Sequence, residues 1–324
     1  MSSATESALV EFEDVAKDYL MPWPRGSVSR ALDGVSFIVP RGSTLALLGP
    51  NGAGKSTTLH LMLGFLRPGR GTVRVCGEAP QDPASRRSLG FLPEVFAFDR
   101  FSTGRRLLER FDALSCRDRE GREARVARAL ETVQMSESAD RRVGTYSKGM
   151  TQRIGLAQAI VGDPDLLVLD EPMSGMDPAS RHAVKTMLAE RRALSKTTVI
   201  SSHILPEVQA AADTLVILDR GRVVARGSLD ALTSASTTAC ISFRAPEATL
   251  LAERLAAAGL PSPKAGPDGV LSMDVRPPAE VNQALAVLMA NGAEIVSIER
   301  AKQDLESVFL ALTRDSASSP WGPS

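Results

Sequence analysis

Four stretches of this sequence carry residue types that handle phosphate. "GPNGAGKST", Gly49 to Thr57, sets glycines ahead of a lysine and a serine, between the apolar run "STLALL" and the helical "TLHLMLGFL". In that strand–loop–helix setting the backbone N–H groups of Gly49, Asn51, Gly52, Gly54 and Thr57 can wrap a phosphate chain, and the helix dipole adds to the attraction. Lys55 reaches the outer phosphates, and the Ser56 hydroxyl is placed to ligate Mg²⁺. The second stretch, "LLVLDEP", is an apolar strand ending in Asp170 and Glu171. An acid there suits metal holding. Neighbouring side chains on a strand point opposite ways, so the two acids are expected to separate, with Asp170 on the metal and Glu171 polarising water. His203 closes the third stretch, "TTVISSH". It stands at a strand's carboxyl end, where α/β sheets place ligands, and reads as a γ-phosphate contact.

The fourth stretch raises a question. "TYSKGMTQR", Thr145 to Arg153, opens an amphipathic helix with Ser147, a cation and Gly149; Met150, Ile154 and Ala157 recur at helical spacing, and Gly162 with Pro164 ends the run. Small residues at a helix start form a second anion site. A chain with one complete phosphate cradle has no obvious use for it.

Composition narrows the rest. Lys plus Arg and Asp plus Glu are equal at 38 each, which argues against electrostatic grip on nucleic acid as the main activity. Cys76, Cys116 and Cys240 form no CxxC pair, so neither a disulfide framework nor a cysteine metal site is expected. "MSSATESALVEFED" lacks the basic start and apolar core of a signal peptide, and no apolar run approaches the about 18 residues of a membrane span. A soluble, cytoplasmic chain is the expectation.

Strands alternate with helices as in an α/β domain over residues 1–232, interrupted by an arginine-rich helical part at about 95–162. "DTLVILDRGRVVARG" reads as a hairpin turning at Arg220–Gly221. Residues 233–314 read as a separate small α+β domain: the strands "TTACISFRAP", "VLSMDVRP" and "AEIVSIERA", and the helices "EATLLAERLAAAG", "EVNQALAVLMANG" and "DLESVFLALT". Residues 315–324 read as a disordered tail.

The phosphate loop, "YSKGM", "LLVLDEP", "SGMD" and "SSH" occur in the order and approximate spacing of an ATP-binding cassette (ABC) transporter ATPase, and the sequence resembles that family over about residues 8 to 232. The resemblance implies an α/β P-loop NTPase fold with antiparallel β and helical subdomains. It implies a homodimer enclosing two Mg·ATP, in which Ser147 and Gly149 face the γ-phosphate held by the second subunit. The apparently spare anion site is thereby used in trans. Asp177 of "SGMDP" resembles the aspartate that reaches across the dimer. Tyr19 resembles the aromatic that stacks on adenine, with Trp23 as a second candidate. Glu94 in "GFLPE" stands where the family has a glutamine, and is expected to ligate or water-bridge Mg²⁺. Beyond it, Phe96, Phe98 and Phe101 are either core of the helical part or a docking patch for a multi-span membrane permease, near Glu94.

"SKGMTQR", "LPE" and "DLESVFLALT" resemble the ABC-2-type exporter branch, whose ATPases are peripheral on the inner membrane face through a separate permease. Two alternatives stay open. Non-transport ABC ATPases carry two cassettes or long inserted modules, which this sequence lacks. Importer ATPases share the cassette, but with LSGGQ and the glutamine that are missing here.

Overall fold

The computed structural model describes residues 8–21, 27–115, 119–205, 211–233, 239–245, 248–266, 269–276 and 278–300. The chain parts between Leu229 and Asp230 into two compact units.

The first unit begins with two long strands, β1 (Ala8–Leu20) and β2 (Val28–Pro40), then β3 (Thr44–Leu48), the helix α1 (Lys55–Met62), β4 (Arg70–Val75) and β5 (Leu89–Leu92). A helical part follows: α2 (Gly104–Ser115), α3 (Arg122–Thr132) and α4 (Lys148–Ile160). The chain then returns to β6 (Leu166–Asp170), α5 (Pro178–Ala193), β7 (Thr197–Ser202), β8 (Thr214–Asp219) and β9 (Arg222–Ser228). Two sheets result. One has the order β2-β1-β4 and is antiparallel. The other has the order β5-β6-β7-β3-β8-β9, parallel except for β9.

Every residue of β3, β6 and β7 is buried, which is why these strands read as unbroken apolar or small-residue runs rather than alternations. The two-residue strand period still divides them between two interiors. Leu167, Leu169 and Ile200 join the core shared with the helical part, while Leu166, Val168 and Val199 join the core under the antiparallel sheet. The strand β3 ends at the phosphate loop, and β6 and β7 end at the two acids and the histidine. Three candidate site segments therefore emerge at one edge of one rigid layer.

The helical part holds a buried ion cluster. Asp112 on α2 is fully buried and accepts from Arg122 Nε at 3.0 Å and from Arg125 Nε at 2.6 Å, so one carboxylate ties α2 to α3. Burial alone would raise the Asp112 pKa, but hydrogen bonds from Arg125 and Arg122 outweigh it and hold the carboxyl below its ordinary value. Phe96 and Phe98 pack on the core of this part, and a Cβ added at Gly155 of α4 would lie 2.5 Å from the Phe96 ring. Glycine makes the notch that the ring fills. Phe101 is different: it is 82% exposed.

The second unit contains β10 (Ala239–Arg244), α6 (Ala248–Ala257), β11 (Lys264–Ala265), β12 (Leu271–Val275), α7 (Ala279–Ala290) and β13 (Glu294–Arg300). Its antiparallel sheet has the order β11-β12-β10-β13, a split β-α-β pair. Ile241, Phe243, Met273 and Val275 form its interior with Leu251 and Leu255 of α6 and Ala284 and Leu288 of α7. Within "LPSPKAGPDG", a segment rich in proline and glycine, Lys264 and Ala265 form the short strand β11. The expected helix "DLESVFLALT" and the tail lie outside the described residues. No helix among the described residues is long and apolar enough to cross a membrane.

Asp112→Asn leaves two arginines facing a neutral group in a buried position. It should lower the unfolding free energy by about 3 kcal/mol, read from urea denaturation. The sign with pH is fixed: the folded pKa is depressed, so the parent's advantage is present above 3.8 and is lost as the pH falls through the lower folded value.

Candidate functional site

The phosphate loop owes its shape to backbone conformations that side chains resist. Gly52 has φ +82° and Gly54 φ +104°, and Gly54 is also the N-cap of α1. A Cβ at Gly54 would sit 2.7 Å from the Ala31 carbonyl oxygen and 2.6 Å from the Leu32 side chain; at Gly52 it would meet nothing within 4 Å. One glycine is required by its neighbours, and the other opens onto the hollow. The hollow is a cleft of about 360 Å³ lined by Asn51, Gly52, Gly54, Lys55, Ser56, Thr57, Glu94, Asp170, Glu171 and His203.

Lys55 is buried at the base of this cleft and donates to the carbonyls of Gly49 at 2.7 Å and Pro50 at 3.3 Å. Burial pushes its pKa below the ordinary lysine value, against the opposing pull of Glu171, Asp170 and Glu94. Glu171 Oε1 lies 4.0 Å from Lys55 Nζ and 2.8 Å from His203 Nδ1. An imidazole that gives its Nδ1 proton to Glu171 turns Nε2 outward, and Nε2 can donate to a phosphate oxygen only when the ring is doubly protonated. His203 is thus joined first to the acid, which leaves only Nε2 for the γ-phosphate contact expected from the sequence.

The expected separation of Asp170 and Glu171 by strand alternation does not occur. β6 ends at Asp170, and Glu171 turns off the strand with φ +49°, a left-handed conformation that costs a non-glycine residue about 1–2 kcal/mol. The two side chains therefore line the same cleft rather than opposite faces. The turn is braced from β7, where the Ser201 hydroxyl donates to Asp170 Oδ1 and accepts from the Glu171 backbone N–H at 3.0 Å. Sequence reasoning passed over Ser201, as it did Ser29, Arg30 and Ala31 of β2, which also line the cleft. The local sequence gives no signal for the β2 residues. Ser201 could have been found from the polar residue that interrupts "TTVIS" opposite an acid.

The chemistry of the oxygen donors fits a hard divalent cation. The Ser56 hydroxyl and the carboxylates of Asp170 and Glu94 share the cleft with the phosphate loop, without a sulfur or a competing imidazole cluster among them. Tyr19 does not line the cleft; its hydroxyl lies 3.4 Å from Thr57 Oγ1, and the Lys17 ammonium stands 5.8 Å from the centre of its ring. Trp23 lies outside the described residues.

The residues expected to form a second anion site lie elsewhere. Ser147 is the N-cap of α4, its hydroxyl oxygen accepting from Met150 N at 3.2 Å, so its own hydroxyl proton remains to be donated outward. Gly149 follows, and Asp177 comes against it: a Cβ at Gly149 would be 3.5 Å from Asp177 Oδ2. Asp177 caps α5, accepting from Ser180 N at 2.9 Å. Ser147, Gly149 and Asp177 are absent from the lining of the cleft that holds Lys55. Tyr146 anchors this segment through its hydroxyl, which donates to the Ser138 carbonyl at 2.7 Å.

An ABC transporter family model matches residues 32–174. The chain is 36% identical over 254 residues to the Nod factor export ATP-binding protein I of Burkholderia orbicola, covering 77% of this chain and 81% of the relative. It is 34% identical over 291 residues to the daunorubicin/doxorubicin resistance ATP-binding protein of Streptomyces peucetius, covering 88% of each. A solved ATP-binding subunit of an ABC transporter superposes with a TM-score of 0.63 at 30% identity, over 69% of this chain and 91% of that one.

Gly54→Ala forces a β-carbon against the Ala31 carbonyl at a left-handed position. It should lose about 2–3 kcal/mol of stability, together with ATP binding. Gly52→Ala, with open space around it, should cost about 1–2 kcal/mol by its backbone conformation alone while still weakening ATP binding. Thermal unfolding and equilibrium nucleotide titration separate the two.

Proposed function

This chain belongs to the ATP-binding proteins of ABC transporters, and from that premise we propose that two copies close around two Mg·ATP and drive a separate membrane permease, in the direction of export. ATP binding and hydrolysis are the family's chemistry. The observation that carries the two-copy reading is the separation described above: the cleft with Lys55, Asp170 and Glu171 lacks Ser147 and Gly149, so each chain offers half of two sites.

Within one cleft the roles divide by chemistry. The phosphate loop and Lys55 hold the phosphates, and Ser56, Asp170 and Glu94 are the residues that would hold Mg²⁺. When bound, that ion would neutralise phosphate charge. Glu171 accepts the proton of the attacking water as the bond from oxygen to the γ-phosphorus forms and the bond to the ADP oxygen breaks. General-base assistance of about 10²–10⁴ corresponds to roughly 3–5 kcal/mol of barrier. His203 orients that carboxylate through Nδ1. Ser147 and Gly149 of the second copy donate to the γ-phosphate, Asp177 works at the same interface, and Tyr19 stands beside the loop on the adenine side. Residues 8–229 are read as the cassette, and the second unit as support for the pair.

Export is supported by the two relatives, one a Nod factor export protein and the other a drug resistance protein. Permease docking is read at the segment after Glu94. Phe96 and Phe98 are committed to internal packing, which leaves the exposed Phe101 and Val95, 82% and 85% exposed, as the apolar contacts of that patch. The site of action that follows is the inner membrane face, through the permease.

Glu171→Gln should bind ATP normally and hydrolyse it about 10²–10⁴-fold more slowly; turnover near the parent rate in a phosphate-release assay removes Glu171 as the base. In the same variant, ATP should shift the chain to a dimer by light scattering, and Gly149→Asp added to it should keep nucleotide binding but abolish the dimer. Tagged Glu171→Gln, drawn from native membranes with ATP and Mg²⁺, should bring down a multi-span protein, and Phe101→Glu should lose it. Recovery of ribosomes or DNA-repair proteins instead would favour a non-transport ATPase.

A further inference from the structure

We propose that Ser201 is a positioning residue for hydrolysis, one hydroxyl that sets both the carboxylate of Asp170 and the backbone of Glu171. The inference rests on the reading of these two acids as metal holder and base. In the parallel pairing of β6 with β7, Ser201 stands in register with Asp170. It is 0% exposed in a strand whose every residue is buried, a place where an unsatisfied hydroxyl would be costly. Its two bonds account for its presence there. The O–H donates to Asp170 Oδ1, and the oxygen accepts from the Glu171 N–H at 3.0 Å.

Each bond has a consequence for the reaction. The first occupies one oxygen of the Asp170 carboxylate, so the other is the one left for a metal in the cleft that Asp170 lines. The second compensates a backbone N–H at the point where the chain leaves β6 with φ +49°, the turn that brings Glu171 into the same cleft as Asp170. A hydroxyl can donate once and accept at the same time, which neither alanine nor valine can do. Two residues further along the same chain, His203 holds the other end of Glu171 by its carboxylate at 2.8 Å. The end of β7 therefore grips the base at both its backbone and its side chain, and Ser201 is the grip that no charge advertises.

The test compares Ser201→Ala with Ser201→Thr, which restores the hydroxyl, and with Ser201→Cys, which keeps the side-chain shape at a slightly larger size but donates weakly. Ser201→Ala should leave ATP affinity within about twofold while kcat falls about 10–100-fold, an effect on the reacting geometry rather than on binding. Two readouts do not depend on turnover. Amide hydrogen exchange at Glu171 should quicken at least tenfold, and Mn²⁺ affinity in the presence of ADP, followed by electron paramagnetic resonance, should weaken severalfold. Ser201→Thr should recover most of both, and Ser201→Cys should stand between; if Ser201→Ala does not fold, the Thr and Cys pair carries the comparison.

Placed on the Glu171→Gln background, Ser201→Ala should lower the residual rate by a smaller factor than it lowers the parent's, because the share that runs through Glu171 is already lost while the share that runs through Asp170 remains. Any of three results overturns the proposal: kcat within twofold of the parent in Ser201→Ala, unchanged exchange at Glu171, or a loss that multiplies in full on the Glu171→Gln background. If Glu171→Gln alone keeps its turnover, it is the assignment of the base that fails, a result separate from any of these.

Discussion

An ammonium and two carboxylates sit at the end of a largely buried sheet, and the rest of the first unit is arranged so that they can. Taking each ion from water costs several kcal/mol, an amount recovered only if the charges meet partners at close range. Lys55 has the Gly49 and Pro50 carbonyls and Glu171. Asp170 has Ser201, and Glu171 has Ser201 and His203. All of these partners come from β3, β6, β7 or the turns at their ends. The order β6-β7-β3 in the sheet is what sets acid, bracing hydroxyl and lysine side by side. A slip of one residue between β6 and β7 would move Ser201 to the opposite face and leave the carboxylate without its donor.

The same logic recurs in the helical part, where it serves rigidity. Asp112 between Arg122 and Arg125 makes a closed ion cluster linking two helices. Near it, aromatic rings and small residues interlock: Phe96 against Gly155, and Tyr146 beside Gly104, where a Cβ would lie 2.5 Å from the tyrosine hydroxyl. The helix start at Ser147 is thus held by a body that is itself braced, and the hairpin turn at Arg220 and Gly221, both at positive φ, closes the opposite edge of the sheet.

How much of this could be read in advance follows from the range of each interaction. The phosphate loop, the strand before the acids, the hairpin at Arg220–Gly221 and the helix from Ser147 are local patterns, and local patterns survive in a linear text. The described helices and strands of the second unit were legible for the same reason, apart from β11, whose two residues are too few to show a period. What stayed hidden was long-range. Asp112 looks like any acid on a helix face until two arginines from the next helix close on it. Phe96 reads equally as patch or core until Gly155 is seen beneath it. The joint placement of Asp170 and Glu171 depends on a left-handed turn that the alternation rule denies, and the residue bracing that turn is 30 positions away in sequence.

The capped start of α4 has a consequence for how firmly two copies would hold one another. Because the Ser147 hydroxyl already satisfies the Met150 N–H, the helix end is formed before any phosphate reaches it. The start of α4 does not have to be ordered at the moment of closure, so association would lose little conformational entropy there. A nucleotide shortened by one phosphate would remove the anion that this helix start is read to meet. The pair would then come apart with this helix start still formed in each half, ready to close again at the next nucleotide.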